Sequence, residues 1–210
     1  VDTINFVTST VDCELNSVTD NPLFVEGNEI LSGGNFHGQG LSMSMDFLSI
    51  AVSELGSISE RRTAQLIDKN TSGLPDFLVA KSGMNSGFMI PHVVAAALAS
   101  ENKTKCFPAC VDSIPTSAGK EDHVSMGPIA ARKARDINEN VAKILAIEII
   151  AACQAIEFRK PLQPSKRLKD VFDFVRTHCD FYDQDRSIST EIEKLSKFVK
   201  NGKIVNVANL

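Results

Sequence analysis

Residues Ser125 to Arg159 read SMGPIAARKARDINENVAKILAIEIIAACQAIEFR. Ala130, Ala134, Ile137, Val141, Ile144 and Leu145 recur there at three- and four-residue steps, the period of one face of a helix. Arg132, Lys133, Arg135, Asp136 and Glu139 cover the outer face. Pro128 falls in the first turn, where its missing N–H is tolerated. From Ile144 to Ile156 the run is apolar almost all round, broken by Glu148 and Gln154. At about 1.5 Å per residue this helix would be about 50 Å long. A compact chain of this size has a radius of gyration of only about 17 Å. A helix this long, apolar all round at one end, predicts a bundle shared between subunits.

Upstream, Leu41 to Ile67 repeats the pattern. Leu41, Met45, Leu48, Val52 and Leu55 form a seam with coiled-coil spacing, and Met43, Phe47 and Ile50 lie on a second face. Arg61 and Arg62 near its end suit the helix dipole as a solvated pair. Ile4, Val7, Val11 and Leu15 predict a first helix, and Pro91 opens another that runs to about Lys105. Leu23-Phe-Val and Glu29-Ile-Leu flank Glu26-Gly27-Asn28, which reads as a small hairpin. Asp68 to Gly87 is loop-like. Beyond a basic linker, Leu168 to Val175 suggests a short helix. Ser189 or Thr190 is placed to cap a last one, with Glu193 completing a capping box. The expected fold is all-α: a long-helix bundle with one small β-hairpin, built for oligomeric assembly.

The composition excludes several classes. Apolar residues make up 43% and charged residues 23% of 210, ordinary for a globular chain. A net charge of −4 gives no nucleic-acid footprint. No run of about 18 apolar residues predicts a membrane span. The five cysteines stand in apolar contexts and read as free thiols in a reducing compartment. No cysteine or histidine set has metal-ligand spacing, so no metal is expected.

Two polar stretches carry the candidate chemistry. Ser113 to Met126 reads Ser-Ile-Pro-Thr-Ser-Ala-Gly-Lys-Glu-Asp-His-Val-Ser-Met and joins two helical runs. Glu121 would stand where a loop meets a helix, a position in which a carboxylate can serve as a base or a substrate anchor. Locally, Asp122 or Ser125 could equally be a helix cap. In Gly33-Gly-Asn-Phe-His-Gly38 the glycines let Phe36 turn a tight corner; the plainer reading is a core plug. The spacing is wrong for a phosphate loop.

Together these stretches resemble the histidine and aromatic amino acid ammonia-lyases, the histidine type most closely. The matching blocks are Asn16-Ser-Val-Thr-Asp-Asn-Pro22, Gly33-Gly-Asn-Phe-His-Gly38, Ser86-Gly-Phe-Met89, Val111 to Ala118 and Glu121-Asp-His-Val-Ser-Met-Gly127. A further similarity from Val141 extends the match to about Leu162 and weakens beyond Ser165, which marks a core over 1–162 and a helical extension over 163–210. The resemblance implies elimination of ammonia, from L-histidine to give urocanate. It implies a methylidene-imidazolone electrophile made from an Ala-Ser-Gly tripeptide, and a homotetramer in the cytoplasm.

This chain has no Ala-Ser-Gly, and it lacks the family's Tyr-Ser-Leu-Arg block. It therefore resembles the C-terminal portion of such an enzyme, active only with an N-terminal part or complementing chain. By the resemblance, Glu121 and Phe36 are catalytic. Asn35, His37, Lys120 and His123 bind substrate or support the first two. Lys120 stands where many bacterial members have Gln, and is placed to pair with Glu121. The alternative is a non-catalytic helical protein that keeps the fold as an assembly or regulatory partner.

Overall fold

The computed structural model describes residues 1–209. Helix accounts for 63% of the chain, which makes the fold all-α. The helices are α1 (Asp2–Leu15), α2 (Gln39–Ile67), α3 (Lys69–Ser72), α4 (Met89–Lys105), α5 (Gly127–Glu157), α6 (Lys166–Arg176), α7 (Ser189–Lys200) and α8 (Lys203–Val207). The expected hairpin pairs β1 (Leu23–Val25) with β2 (Glu29–Leu31), antiparallel, Leu23 facing Leu31. Gly27 and Asn28 take left-handed conformations at its turn. The loop expected over 68–87 holds the short helix α3 and a 3-10 turn at Asp76–Leu78.

The chain forms two compact units, 1–52 with 103–138, and 53–102 with 139–210. In the second, the apolar end of α5 is the centre of the core. Ile144, Ile147, Ile150 and Ala151 are fully buried, with Phe88, Leu78, Val175 and Leu195 around them. The all-round apolar character of that end is thus met by this chain's own α4, α6 and α7.

A large polar side chain is admitted to this core. Gln154 is fully buried, and its amide donates to the carbonyls of Leu78 (3.0 Å) and Tyr182 (2.7 Å). Its oxygen accepts from the Tyr182 N–H at 3.1 Å. A buried amide satisfied at both ends fixes the 182–188 segment against α5.

Nearby, Asp185 accepts from the N–H groups of Ser86 (2.8 Å) and Gly87 (2.9 Å). These two donors hold its carboxyl below the usual carboxylate range. The Ser86-Gly-Phe-Met block is therefore a packing joint. Gly87 has φ +54°, and a Cβ there would lie 2.4 Å from the Phe77 carbonyl.

α2 differs from its expected seam. Leu41, Met45, Leu48 and Val52 are only half-buried, while Leu55 is exposed. The tightly buried line is polar or small: Ser42, Asp46, Ser49, Gly56, Ser59 and Thr63. Two of the hydroxyls are satisfied within the helix, Ser49 donating to the Met45 carbonyl (2.8 Å) and Thr63 to that of Ser59 (3.1 Å). Small side chains let helices approach closely; at Gly56 an added Cβ would meet Val141 at 3.0 Å. Met43, Phe47, Ile50, Leu55 and Ile58 are left exposed instead. By length and composition α2, with the turn before it, could cross a membrane. Its buried Asp46, paired with Lys133 at 3.1 Å, is the mark of a core helix.

Two local expectations need amendment. Arg61 and Arg62 are solvent-exposed as expected, and each also has a carboxylate partner: Arg61 pairs with the buried Glu60, and Arg62 makes a two-pronged bond to Glu148 at 2.6 and 3.0 Å. His92 reaches Glu60 at 2.7 Å. Second, Ser189 and Thr190 do not cap α7. The helix starts at Ser189 with Ile188 before it and no side-chain cap bond. The hydroxyl of Thr190 bonds Glu191, which also pairs with Arg186, and Glu193 pairs with Lys143. The expected capping glutamate is taken by an ion pair. Beyond Asn201 the chain forms α8 over Lys203–Val207.

Candidate active site

The site is assembled in the first unit from two short segments and the first turns of α2. The earlier segment is the corner that ends in Gly38. Asn35, Phe36 and His37 form one 3-10 turn, and Gly38, at φ 68°, reverses the chain into α2. The turn is tied at its base, where the Asn35 amide donates to Glu14 of α1 at 3.4 Å. Phe36 is 42% exposed and is no core plug. Its ring lies on that of His37, centroids 4.1 Å apart, and His37 meets the ring of His123 edge-on at 5.2 Å. Two cavities open beside this row. One of about 280 Å³ is lined by Glu14, Asn35 and Phe36, the other of about 430 Å³ by His37, Met45 and Ser125.

The later segment is the loop from Cys110 to Met126. Its tip closes on itself: Thr116 and Glu121 exchange backbone hydrogen bonds of 3.0 and 3.3 Å. Between them Ser117, Ala118 and Gly119 all have positive φ, at 53°, 56° and 82°. Two consecutive non-glycine residues in that region are uncommon and mark a strained tip. Glu121 and Lys120 both have exposed side chains, and among the described residues no ion pair joins them. The expected pairing is absent because the tight turn spends both residues' backbones on closure and leaves their side chains in solvent. Asp122 makes no cap. Ser125 does part of that work, accepting from the Gly127 N–H at 3.3 Å.

Of the six residues singled out in the sequence, the fold gathers Asn35, Phe36, His37 and His123. Glu121 and Lys120 stand on the same loop as His123, outside the row of rings. The sequence reading missed the residues that hold the loop. Gln39 donates to the Cys110 carbonyl at 3.0 Å and meets His123 Nε2 at 3.1 Å. Ser42 donates to the Ser125 carbonyl at 2.6 Å. Asp46 accepts from the Cys110 N–H at 2.8 Å and from Lys133. Burial alone would push the Asp46 carboxyl up, but the Cys110 N–H and the Lys133 ammonium together hold it below the usual range. One signal was available: positions 39, 42 and 46 are polar and share a face of a mostly apolar helix.

No group of three or more metal-ligating side chains occurs among the described residues. The methylidene-imidazolone group can be tested against the chain. Its Ala-Ser-Gly precursor is absent from the sequence. The open face of Phe36 above a cavity is nevertheless a surface that a flat, conjugated ring would fit. The chain thus offers a wall for the group and not its atoms.

The family model for aromatic amino acid lyases matches residues 1–177. The chain belongs to that family. A histidine ammonia-lyase from Legionella pneumophila (strain Corby) is 53% identical over 195 residues, which are 92% of this chain and 39% of that protein. The crystal structure of histidine ammonia-lyase from Trypanosoma cruzi superposes with a TM-score of 0.94 at 46% identity, over 99% of this chain and 41% of that one. Tyrosine aminomutase from Streptomyces globisporus is similar at a TM-score of 0.92 and 38% identity, over 98% and 40%. The chain spans about two-fifths of the length of the relatives it matches, in their C-terminal part.

Proposed function

We propose that this chain is the C-terminal portion of a histidine ammonia-lyase, converting L-histidine to urocanate and ammonia together with an N-terminal part. The observation that carries the reading is the 53% identity to a histidine ammonia-lyase across 92% of the chain, both candidate segments included. In the reaction the Cα–N bond breaks, a β-proton leaves, and the freed electron pair forms the Cα–Cβ double bond. The β-proton is poorly acidic and the amine a poor leaving group, so a base and an electrophile are both required. The prosthetic group, supplied by the N-terminal part, would activate the amine.

This chain's own contribution is the other half of the site. Glu121 presents a carboxylate to the substrate's imidazole or amine, or takes up the β-proton. Phe36 forms an aromatic wall, held in place by His37 and by the Asn35–Glu14 contact. His123 fixes the loop on which Glu121 stands, and Lys120 sets the positive charge beside it. The exposed apolar stripe on α2 supports assembly into a homo-oligomer; the tetramer and the cytoplasmic location are taken from the family resemblance.

The reading is tested by mixing the chain with the N-terminal part of the Legionella pneumophila relative. L-histidine should then be consumed, with urocanate appearing by its ultraviolet absorbance. One observation favours a second reading, a non-catalytic assembly partner: both Ala-Ser-Gly and Tyr-Ser-Leu-Arg are absent from the chain. Formation of a stable complex that leaves histidine untouched would support that alternative.

A further inference from the structure

We propose that Gln39 is a positioning residue: its one amide clamps both ends of the loop that carries Glu121, and thereby sets that carboxylate relative to Phe36. The inference rests on the catalytic reading of Glu121 given above. Gln39 is the first residue of α2, directly after Gly38, so it is rigidly joined to the turn that presents Phe36. Its Nε2 donates to the carbonyl of Cys110, where the loop begins. Its Oε1 faces Nε2 of His123, two residues beyond Glu121. An amide oxygen only accepts, so His123 must carry its proton on Nε2. The reverse orientation of the amide would set two oxygens against each other at Cys110.

Two further residues on the same face of α2 support the clamp. Ser42 holds the Ser125 carbonyl, and the buried Asp46 holds the Cys110 N–H. Three side chains at i, i+3 and i+7 thus pin the loop at Cys110, His123 and Ser125. Between these points the loop is held by its own bonds: Thr116 and Glu121 close on each other, and the Ser113 hydroxyl accepts from the Val124 N–H at 3.1 Å. The loop tip contributes no buried apolar side chain that could hold it by packing. Removal of the amide therefore frees Glu121 to wander while the fold stays intact. A misplacement of about 1 Å is enough to cost on the order of 100-fold in rate.

The test is a double-mutant cycle in the lyase assembled from this chain and the N-terminal part. Gln39→Ala should lower kcat by about 10-fold or more, with little change in melting temperature. In a Glu121→Gln background the same substitution should cost less than about 2-fold, because a clamp that acts through Glu121 has nothing left to position. Equal losses in both backgrounds would overturn the proposal and make Gln39 a general structural residue. Wild-type turnover in Gln39→Ala would overturn it too.

Hydrogen exchange supplies a readout that does not depend on activity. In Gln39→Ala the amides of Thr116 and Glu121 should lose protection, while those of α5 keep it. Unchanged loop protection would overturn the clamp whatever the kinetics. If Glu121→Gln turned over like wild type, the catalytic reading would fail by itself, and the exchange data would still decide the clamp.

Discussion

At the residue scale the decisive side chain is Glu121. It lies at the foot of a strained tip, exposed, with its backbone committed to Thr116. Such a residue contributes little to packing, so its replacement separates chemistry from stability. In the assembled lyase Glu121→Gln should reduce turnover on the order of 100-fold or more. Its melting temperature should stay within a degree or two of wild type. Normal turnover with a lowered melting temperature would return Glu121 to a structural role.

Asp46 makes the opposite case, being buried and paired. Its folded-state pKa lies below the ordinary 3.8. The stability it contributes is therefore present above that value and is lost as pH falls through the depressed one. Asp46→Asn leaves Lys133 without its charge partner and should cost about 3 kcal/mol at neutral pH. That difference from wild type should shrink as pH falls below about 4, where the unfolded wild-type carboxyl takes up its proton and the folded one follows at lower pH. Urea melts at pH 7, 5 and 3 would show it, and a gap that widened on acidification would refute the assignment.

At the scale of elements, the stripe read along Ser125–Arg159 was legible because burial on one face imposes a three-to-four residue period. Ala130, Ala134, Ile137, Val141 and Ile144 are all buried. The α2 seam was misread for a physical reason. Hydropathy ranks leucine above serine, yet close helix approach favours the smaller side chain, and Ser42, Ser49 and Thr63 took the inner line. The α7 cap was misread because Glu193 had a competing partner, Lys143, that no local pattern reveals. The resemblance named Phe36, His37 and His123 one by one, and the fold brings their rings into one row. Their clamp was not legible, since Gln39 and Cys110 lie 71 positions apart.

Two element-scale substitutions follow from the second unit. Gly87→Ala would drive a methyl group into the Phe77 carbonyl at a positive φ, and should cost about 3 kcal/mol. Gln154→Leu would leave the Leu78 carbonyl and both backbone groups of Tyr182 unpaired. A cost of about 3 kcal/mol is expected. Thermal melts of the assembled protein should show both drops, and a melt unchanged by Gln154→Leu would mean that the buried amide is not structural.

At the scale of the whole molecule, the sequence placed the pressure toward association on both long helices, Leu41–Ile67 and Ser125–Arg159. The apolar end of α5 is absorbed by the chain's own core. That pressure remains on α2, where Met43, Phe47, Ile50, Leu55 and Ile58 form an exposed stripe. A stripe of that kind is rare on a monomer. In the proposed division of the site, Phe36 and Glu121 are this chain's share, and the Ala-Ser-Gly tripeptide is absent from its sequence. The central claim is therefore complementarity between two parts. It is tested most directly by titrating a fixed amount of this chain with the N-terminal part and following urocanate formation from L-histidine. The account predicts no urocanate from either part alone, and a rate that rises to a plateau at one N-terminal part per chain. Urocanate formed by these 210 residues alone, or none at saturation, would contradict it.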